Sequence, residues 1–560
     1  MPTITFSLKD LQNLLGKKLT IEELEELVSY GKGELDNYDK ETNEVSVDFG
    51  DTNLPYLWSV EGIARYFKGI LGIEKGIPKI EIAKAGCKVI VDSSVNPVRP
   101  YIGAFVVKGK KVDDYLIKQL VQLQEKLCES FGRRRQKIAI GIYSYDKIKF
   151  PVHYKATSPE SIRFIPLEYK KEMTQQEILE EHPKGKEYAW ILKGQSKYPI
   201  LIDSANQVLS FPPVINSNWT GKVTDEDKNL FIEATGTELE PLLLALNIMA
   251  YAFYDRGFEL YSVEIVNEGK KMITPVISSE KIKLSSKQIT SVTGLELKTS
   301  ELKALLEKAR YDVTNSSVSI PPYRGDILHP VDVIEDIAIM YGYNNFKDSP
   351  LTSYTTGETS DIVRFRNKIR DLMIGLGYQE VLSPVLSNKQ ILLDSMDCRD
   401  FGTIEIENFM SETFSAVRSW LIPILMDFLS KNKHVEYPQK AFEQGLVSVR
   451  KDEQVIDYER IAAVSANEKA DYTEIRQVLD YILRILGVEY TVEETEHDSF
   501  LPGRVGRVLV NGVKVAYIGE MSPQVLSNHG LEVPVCAMEL NLSELFRVIN
   551  NDNKVNNQKV

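Results

Sequence analysis

The chain has 560 residues, of which 43% are hydrophobic and 26% charged, a composition typical of a globular protein with several hydrophobic cores. At roughly 150 residues per domain, this length indicates about four domains. The formal net charge of −13 argues against a protein that coats nucleic acid without specificity, and no apolar run reaches the roughly 20 residues that span a bilayer.

Residues 1–85 are predicted to form an N-terminal domain with helices and a strand. Thr20 is a capping residue for a helix over 21–30, and Glu23 completes a capping box with it. A strand is predicted over 44–49, where polar and apolar residues alternate. Both kinds of element are therefore expected early in the chain.

Residues 86–275 mix strands with helices and are predicted to form an α/β domain. Strands are predicted over 102–107, 138–143 and 200–203, and helices over 113–131 and 240–256. The densest basic run of the chain, Arg133-Arg134-Arg135, precedes the second of these strands. It is predicted to be a basic turn, and contact with a phosphate backbone is the alternative.

Two segments of this domain could together wall a small polar pocket. Residues 210–217 contain two consecutive prolines, whose fixed backbone angles make the segment stiff. Residues 234–237 are predicted to be a glycine-containing turn that carries two hydroxyl groups. The alternative is that both segments are ordinary loops.

Residues 276–350 are predicted to be a small helical segment with a strand or two, and its last helix is unusually acidic. Pro330 suits the first turn of that helix and Gly342 suits its end. Three carboxylates are expected to share the helix face opposite the apolar one, and a fourth lies on the preceding loop. The four are Asp326, Asp332, Glu335 and Asp336. They could complement the helix dipole in a solvated first turn, or they could bind a hard cation such as Mg²⁺.

From residue 351 onward the pattern is again α/β. A helix is predicted over 361–376, and Asn511-Gly512 between two apolar runs predicts a tight hairpin. The chain has no Gly-x-Ser-x-Gly elbow and no His-Glu-x-x-His helix, and its six histidines are scattered. These absences fit a regulatory, recognition or partner subunit better than a stand-alone enzyme.

The compartment is predicted from both the N-terminus and the cysteines. The first residues lack the basic and apolar regions of a signal peptide. The four cysteines lie too far apart in sequence for a zinc ribbon or a redox pair. A cytoplasmic protein with reduced thiols and no membrane segment is therefore expected.

The acidic helix resembles the metal-binding helical domain of phenylalanyl-tRNA synthetase beta subunits. The matching residues read Pro-Pro-Tyr-Arg-Gly-Asp-Ile at 321–327 and Val-Asp-Val-Ile-Glu-Asp-Ile-Ala-Ile-Met-Tyr-Gly-Tyr-Asn at 331–344. In that family the four acids coordinate Mg²⁺. The resemblance therefore implies Mg²⁺ as a cofactor, with Asp326, Asp332, Glu335 and Asp336 as its ligands, and favours the cation site over the dipole interpretation.

The resemblance extends over nearly the whole chain and is to the archaeal and eukaryotic type. Residues 51–55 with 60–65 resemble the family's N-terminal domain, and residues 132–135 with 140–143 resemble the start of its editing domain. It implies a multidomain α/β and α+β architecture. The expected domains are an N-terminal domain (1–85), an editing-type α/β domain (86–275), a small winged-helix-like, metal-binding helical domain (276–350), and a degenerate class II synthetase-like antiparallel-sheet domain (351–560).

The last of these domains is expected to have lost its chemistry. Residues 417–421 and 438–445 resemble the approach to the second motif of the class II fold, but Arg450 is displaced from the position of that motif's ATP-binding arginine. Residues 535–540 contain neither the glycines nor the arginine of the third motif. The resemblance therefore implies no aminoacylation residues in this chain and a scaffold role for the domain.

The function implied by the resemblance is that of the beta subunit of a phenylalanine–tRNA ligase in an (αβ)₂ tetramer. The alpha subunit would bind ATP and L-phenylalanine, and this subunit would supply scaffold, contacts to tRNA(Phe) and editing of Tyr-tRNA(Phe). The expected editing pocket comprises Pro213, Asn216, Ser217, Glu233, Thr235, Gly236 and Thr237. A free-standing RNA-binding scaffold and a stand-alone Tyr-tRNA hydrolase are the alternatives.

Overall fold

The computed structural model describes residues 2–314, 317–348 and 350–557, and the chain divides into two compact units, residues 1–349 and 350–560. The strands of the first unit are β1 Thr3–Ser7, β2 Gly33–Asp39, β3 Glu44–Phe49, β4 Ile82–Val91, β5 Tyr101–Lys108, β6 Ile138–Ser144, β7 Val152–Thr157, β8 Arg163–Phe164, β9 Met173–Thr174, β10 Tyr198–Ile202, β11 Val208–Phe211, β12 Ile215–Asn216, β13 Leu230–Gly236, β14 Glu259–Asn267, β15 Lys270–Thr274, β16 Lys281–Lys283, β17 Asp312–Thr314 and β18 Ser317–Ser319. Its α-helices are α1 Leu8–Leu15, α2 Ile21–Ser29, α3 Val60–Ile70, α4 Asp114–Lys126, α5 Gln175–Glu181, α6 Pro183–Tyr188, α7 Leu239–Asp255, α8 Ser286–Thr293, α9 Thr299–Lys308 and α10 Pro330–Tyr341.

The N-terminal segment follows its local sequence signals closely. The hydroxyl of Thr20 accepts a hydrogen bond from the Glu23 amide at 3.2 Å, and the Glu23 carboxylate accepts one from the Thr20 amide at 2.9 Å. This confirms the predicted capping box at the start of α2. Strand β3 lies between β1 and β2 in an antiparallel sheet, as its alternating pattern predicts.

A large mixed sheet forms the centre of the first unit, with strand order β12-β11-β10-β7-β4-β14-β5-β13-β6 and β15 paired to β14. Strand β4 is parallel to β7 and to β14, and the other neighbours in this order are antiparallel. Strand β13 is buried along its whole length between β5 and β6. This central strand is the one that supplies the functional site described below.

The position of residues 234–236 corrects the prediction of a turn at 234–237. Ala234, Thr235 and Gly236 continue β13, where β-branched threonine is well accommodated. Position 236 requires glycine because a Cβ atom there would lie 2.6 Å from the carbonyl oxygen of Lys137. Glycine in this buried strand therefore marks a close approach of two backbones and not a turn.

One hydrophobic core joins residues from 4 to 67, from 105 to 260 and from 284 to 340 in the first unit. Arg65 lies within it: its guanidinium sits 4.6 Å from the ring centroid of Tyr323 and 5.1 Å from that of Tyr251, and it pairs with Asp255 at 2.7 Å. Residues of three expected domains thus pack in one core. The division at 85 and 275 stays a prediction.

The acidic helix has the predicted boundaries. Helix α10 begins at Pro330, with the imidazole of His329 accepting the Val331 amide at 3.2 Å, and ends before Gly342, which has φ 90°. A positive φ of this kind favours glycine. Helix α10 packs against α8 and α9, and α9 packs against β17 of the short antiparallel sheet β16-β18-β17, consistent with the expected small helical segment.

The second unit contains a large sheet covered on both faces and a small separate sheet. Its strands are β19 Gln379–Glu380, β20 Leu386–Ser387, β21 Ile404–Glu405, β22 Ala416–Val417, β23 Gln439–Lys451, β24 Gln454–Ala466, β25 Thr491–Glu494, β26 Phe500–Val510, β27 Val513–Met521 and β28 Val535–Asn541. Its α-helices are α11 Asp361–Gly375, α12 Ile422–Lys431, α13 Tyr472–Ile485, α14 Pro523–Asn528 and α15 Leu542–Asn557. The large sheet has the order β19-β23-β24-β28-β27-β26-β25 and is antiparallel except between β19 and β23. The small sheet has the order β20-β22-β21 and is antiparallel.

Alternate residues of the central strand β24 enter two different cores. Ile461 packs with helices α11, α13 and α15, whereas the next residue, Ala462, packs with α12 and α14. The hairpin between β26 and β27 turns at Asn511 and Gly512, with φ 50° and 77°, which confirms its prediction. Across the described residues of both units, no helix combines the length and apolar character needed to cross a bilayer.

Candidate functional site

A cavity of about 510 Å³ opens in the first unit beside the first half of the central strand β13, at Leu230 and Glu233. Helix α4, strand β6 and the segment from β11 to β12 form its other walls. Three of the residues predicted for an editing pocket line it: Pro213, Asn216 and Glu233. Its volume lies within the roughly 300–1,000 Å³ of small-molecule sites.

Glu233 is the chemically most distinctive group of this cavity. Its side chain is only 3% exposed, and Oε1 accepts a hydrogen bond from the Tyr143 hydroxyl at 2.8 Å. Within the part of the chain that the structure describes, Oε2 is buried without a hydrogen-bond partner. Burial raises the pKa of Glu233 to about 7, although the hydrogen bond from Tyr143 and the charge of Arg99 oppose that shift. This carboxyl group can therefore exchange a proton near neutral pH and has an oxygen atom to offer a ligand.

A glycine on the neighbouring strand makes room for this pair. Gly141 lies opposite Glu233 in the register of β6 and β13. A Cβ atom at Gly141 would lie 2.1 Å from the Tyr143 hydroxyl oxygen and 2.7 Å from Oε1 of Glu233. The absence of a side chain at this position is therefore a condition for the hydrogen bond between Tyr143 and Glu233.

Asn216 lies on the other side of the Tyr143 hydroxyl. Its Oδ1 atom is 3.4 Å from that hydroxyl oxygen, compared with 2.8 Å for Glu233. A phenol has one hydrogen to donate, so the shorter bond to Glu233 is the stronger. Burial raises the pKa of Tyr143 far above its usual value, which keeps this donor protonated. Tyr143 thus connects two of the predicted pocket residues.

The other four predicted pocket residues do not line the cavity. The hydroxyl of Ser217 is buried 3.0 Å from that of Thr220, and Gly236 ends strand β13. Thr237 is exposed beyond the strand. Thr235 points to the same side of β13 as Glu233, but the guanidinium of Arg99 covers it, with Nε donating to Oγ1 at 3.0 Å. The approach of Arg99 from 136 residues away in sequence could not be foreseen from the local pattern.

The basic run forms a turn, as its sequence predicts, and the contacts of that turn are long-range ones that the local sequence does not predict. Arg133, Arg134 and Arg135 all have positive φ, at 50°, 51° and 66°. Arg135 donates to the carbonyl oxygen of Val214 at 3.1 Å and stacks on the ring of Tyr188 at 4.2 Å. The turn therefore fixes the wall of the cavity that carries the proline pair.

The four acids predicted to bind Mg²⁺ are separated into three environments. Asp326 and Asp336 both pair with the buried guanidinium of Arg324, and Asp336 lies 2.5 Å from it. The Tyr311 hydroxyl donates to the same Asp336 oxygen at 2.5 Å. Asp336 is thus buried, which corrects the prediction that it shares an exposed face of the helix with Asp332.

The remaining two acids have protein partners of other kinds. One oxygen of Asp332 accepts the backbone amides of Leu328 and His329 at 2.8 and 2.7 Å, as an acid does at a helix N-terminus. Glu335 is half exposed and pairs with Lys32 at 2.8 Å. No three His, Cys, Asp or Glu side chains of the described residues form a group that could hold a metal ion. All four acids thus have protein partners in this structure, and the Mg²⁺ assignment stays a prediction.

In the second unit, the residues expected near a synthetase motif are engaged with each other. The guanidinium of Arg418 lies 2.6 Å from the Glu443 carboxylate, and both side chains are buried. Gly445 leaves room for them, because a Cβ atom there would lie 2.1 Å from Arg418 Nη2. Arg450 is exposed near the end of β23. Arg418 is therefore not presented as a free phosphate clamp.

Comparison with known proteins identifies the class to which these two units belong. Residues 282–343 match the tRNA synthetase B5 domain, and residues 347–542 match the CLM domain of the phenylalanyl-tRNA synthetase beta chain. These matches place the chain among the subunits of aminoacyl-tRNA synthetases.

Full-length relatives make the assignment more specific. The phenylalanine–tRNA ligase beta subunit of Pyrococcus horikoshii is 43% identical over 98% of this chain and 100% of its own length. That of Methanococcus aeolicus is 36% identical over 97% of this chain and 100% of its own length. A crystal structure of an N-terminal fragment of the Pyrococcus horikoshii phenylalanyl-tRNA synthetase beta subunit, 44% identical, covers 61% of this chain and 100% of the fragment, with a TM-score of 0.59. The chain belongs to the phenylalanine–tRNA ligase beta-subunit family, and the resemblance deduced from its motifs is confirmed.

Proposed function

We propose that this chain acts as the beta subunit of a phenylalanine–tRNA ligase, the enzyme that joins L-phenylalanine to tRNA(Phe) with conversion of ATP to AMP and diphosphate. Similarity to relatives of that name over nearly the full length supports this role. The chain would assemble with an alpha subunit into an (αβ)₂ tetramer in the cytoplasm. The alpha subunit would bind ATP and L-phenylalanine and carry out the ligation.

The buried pairing of Arg418 with Glu443 supports a division of labour between the subunits. An arginine that already has a carboxylate partner has little to offer a nucleotide phosphate. In the proposed domain organisation, residues 351–560 form the inactive class II-like scaffold, residues 276–350 the small helical domain and residues 86–275 the editing-type domain. Residues 1–85 form the N-terminal domain.

We further propose that the cavity beside β13 hydrolyses Tyr-tRNA(Phe). The observation that carries this is the Oε2 atom of Glu233, which has no hydrogen-bond partner among the described residues. Tyrosine differs from phenylalanine by one hydroxyl group, and an apolar synthetic site rejects such an addition by only about 10²-fold. A buried carboxylate oxygen can accept a hydrogen bond from the tyrosyl hydroxyl. A phenylalanyl group would leave that oxygen unpaired, so the cavity would select the mischarged ester.

In this mechanism Glu233 recognises the substrate and no side chain acts as a nucleophile. Tyr143 holds the Glu233 carboxylate through Oε1, which leaves Oε2 to the ligand. Asn216 also lines the cavity and could orient a water molecule or the ester. The attacking group would be water, positioned by these polar side chains and by the bound tRNA.

The test is deacylation of purified Tyr-tRNA(Phe) and Phe-tRNA(Phe) by the reconstituted complex. Glu233→Gln keeps the side-chain shape, and Glu238→Gln, an exposed glutamate paired with Lys137, is the matched control. We expect E233Q to slow Tyr-tRNA hydrolysis about 10- to 100-fold, the effect of about 1–3 kcal/mol for an unsatisfied buried group, and to leave phenylalanylation unchanged. An E233Q complex that edits as fast as the E238Q complex would rule out this site.

The stand-alone alternatives are tested with the same reagents. The purified chain alone should show no phenylalanylation of tRNA, because the proposed ligation site lies on the alpha subunit. Mixing it with a candidate alpha subunit should give a stable complex that charges tRNA(Phe). A chain that stays separate from the alpha subunit and adds nothing to charging would favour a free-standing RNA-binding scaffold, or a Tyr-tRNA hydrolase if it deacylates alone.

A further inference from the structure

The second unit contains a cavity of about 560 Å³ that the proposed function does not use. Four successive strands of its sheet contribute to the inner surface, through Arg460 of β24, Glu539 of β28, Tyr517 of β27 and Arg507 of β26. Its size falls within the roughly 300–1,000 Å³ of small-molecule sites. The polar groups on this surface differ in whether the protein supplies them with hydrogen-bond and ion-pair partners.

Glu539 is fully engaged by the protein. Its Oε2 atom accepts the backbone amides of Leu421 and Ile422 at 2.8 and 3.0 Å, at the start of helix α12. Its Oε1 atom accepts a hydrogen bond from Arg460 at 2.9 Å. The single carboxylate of the inner surface is therefore neutralised by one arginine and by a helix N-terminus.

Arg507 has no such partner. Within the described residues, its guanidinium forms no ion pair, and its Nε atom is buried without a hydrogen-bond partner. It lies over the ring of Tyr517 at 3.9 Å and interacts with the hydroxyl group of that residue, and its Nη2 atom donates to the Lys514 carbonyl oxygen at 3.4 Å. Burial and the nearby charge of Arg460 lower the pKa of Arg507. The inner surface thus carries two guanidinium groups and only one carboxylate.

Aromatic rings form the wall next to these arginines. The ring of His497 lies 5.6 Å from that of Trp420 and 5.0 Å from that of Tyr517. Its Nδ1 atom accepts the Ser499 amide at 3.3 Å, and burial lowers its pKa, so the ring is neutral at physiological pH with its hydrogen on Nε2. This wall can contact a planar ring through its faces and edges.

The rim of the cavity is mixed in charge. The exposed side chains of Arg399 and Lys514 are positive there, and those of Glu496 and Asp498 are negative. These charges offset each other and are screened by solvent. The unbalanced charge of the site therefore comes from Arg507, inside the cavity.

We propose that this cavity binds a small anion, namely a phosphate or carboxylate group on a molecule that also contains a planar ring, with the guanidinium of Arg507 as its principal partner. The planar fork of arginine bonds two oxygen atoms of such a group at once. The ring of the ligand would pack against His497 and Trp420. This site is separate from the Glu233 cavity of the first unit and does not depend on its proposed activity.

The experiment is isothermal titration of the purified full-length chain with inorganic phosphate, AMP and benzoate. We expect AMP or benzoate to bind at least tenfold more tightly than inorganic phosphate, because only they carry a ring. Tighter binding of AMP identifies a phosphate ligand, and tighter binding of benzoate identifies a carboxylate ligand. No binding of any of the three at 10 mM, or equal binding of all three, would overturn the proposal.

Variants locate the bound probe. Arg507→Gln should weaken binding of the better probe at least tenfold, whereas Arg504→Gln, an exposed arginine on the same strand outside the cavity, should change it less than twofold. If R507Q fails to fold, Arg507→Lys replaces it, since lysine keeps the positive charge and the long apolar stem but lacks the planar fork. R507K should weaken binding of the anion severalfold. Unchanged affinity in the folded variant would show that the probe binds elsewhere and would refute the assignment.

Discussion

Tyr143 donates its hydroxyl hydrogen to Oε1 of Glu233 at 2.8 Å, between two neighbouring strands of one sheet. The donor is a buried phenol that stays protonated, and the acceptor is a carboxyl group whose pKa is raised to about 7. The pair therefore holds an ionisable group in place without neutralising it. This distinguishes Glu233 from Glu443 and Asp336, which are paired with buried arginines.

Hydrolysis of Tyr-tRNA(Phe) by the complex should increase as the pH rises through about 7. Only the ionised form of Glu233 offers an unprotonated Oε2 to the tyrosyl hydroxyl, and burial raises the pKa of this group from 4.5 to about 7. We expect the enzyme-dependent rate, after subtraction of spontaneous ester hydrolysis, to rise between pH 6 and pH 8 and then level off. In E233Q this rise should be absent. A rise of equal size in E233Q would assign it to another group.

Gly141→Ala should damage editing while leaving charging intact. The added methyl group would lie 2.1 Å from the Tyr143 hydroxyl and would displace the Glu233 carboxylate. Misplacement of a recognition group by about 1 Å can cost about 10²-fold in rate, so we expect Tyr-tRNA hydrolysis to fall at least tenfold. Gly375→Ala is the control, because a Cβ atom there meets nothing within 4 Å. Normal editing by G141A would show that this hydrogen bond is dispensable.

The acids of helix α10 should differ sharply in their contribution to stability. Asp336→Asn leaves the buried guanidinium of Arg324 poorly compensated and should destabilise the first unit by about 3–5 kcal/mol. Glu335→Gln breaks only a half-exposed pair with Lys32 and should change stability by about 1 kcal/mol or less. Thermal unfolding of the two variants measures the difference.

Chelation tests the metal prediction for the same helix. If Arg324 is the counter-ion of Asp326 and Asp336, EDTA should leave the melting temperature unchanged. The cation site would instead be established if EDTA lowered the melting temperature and added Mg²⁺ restored it, and if E335Q showed no such change.

Gly445→Ala should destabilise the second unit. The new Cβ atom would lie 2.1 Å from Nη2 of Arg418, whose guanidinium is held by Glu443 and by the Leu446 carbonyl oxygen. Disturbing a buried ion pair costs about 3 kcal/mol or more, so the unfolding transition of this unit should occur at lower temperature. Gly375→Ala is again the control. If G445A unfolds at the same temperature as the unsubstituted chain and this control, Arg418 has room to move.

Features specified by neighbouring residues were predictable from the sequence. The capping box of Thr20, the boundaries of helix α10 and the Asn511-Gly512 hairpin each depend on a few adjacent positions. The periodicity of apolar residues likewise predicted helix α7 to within a residue at each end. Local backbone preferences decide these elements, and tertiary contacts do not override them.

The partners of the polar side chains were not predictable in the same way. Thr235 is covered by Arg99, from 136 positions earlier, and Glu335 pairs with Lys32, from a distant part of the sequence. Each contact forms only when strands and helices pack, and many side chains could have taken its place. Arg324 lies within the acidic motif, yet its role as a buried counter-ion depends on that packing.

The burial of Arg65 between Tyr251 and Tyr323 has a consequence for local unfolding of the first unit. Helix α3 cannot separate from α7 without exposing a charged guanidinium that has lost Asp255. Regions tied together in this way open as one cooperative unit. Amide hydrogens of α3 and α7 should therefore exchange with deuterium at a common, slow rate, whereas those of the exposed hairpin between β2 and β3 should exchange much earlier.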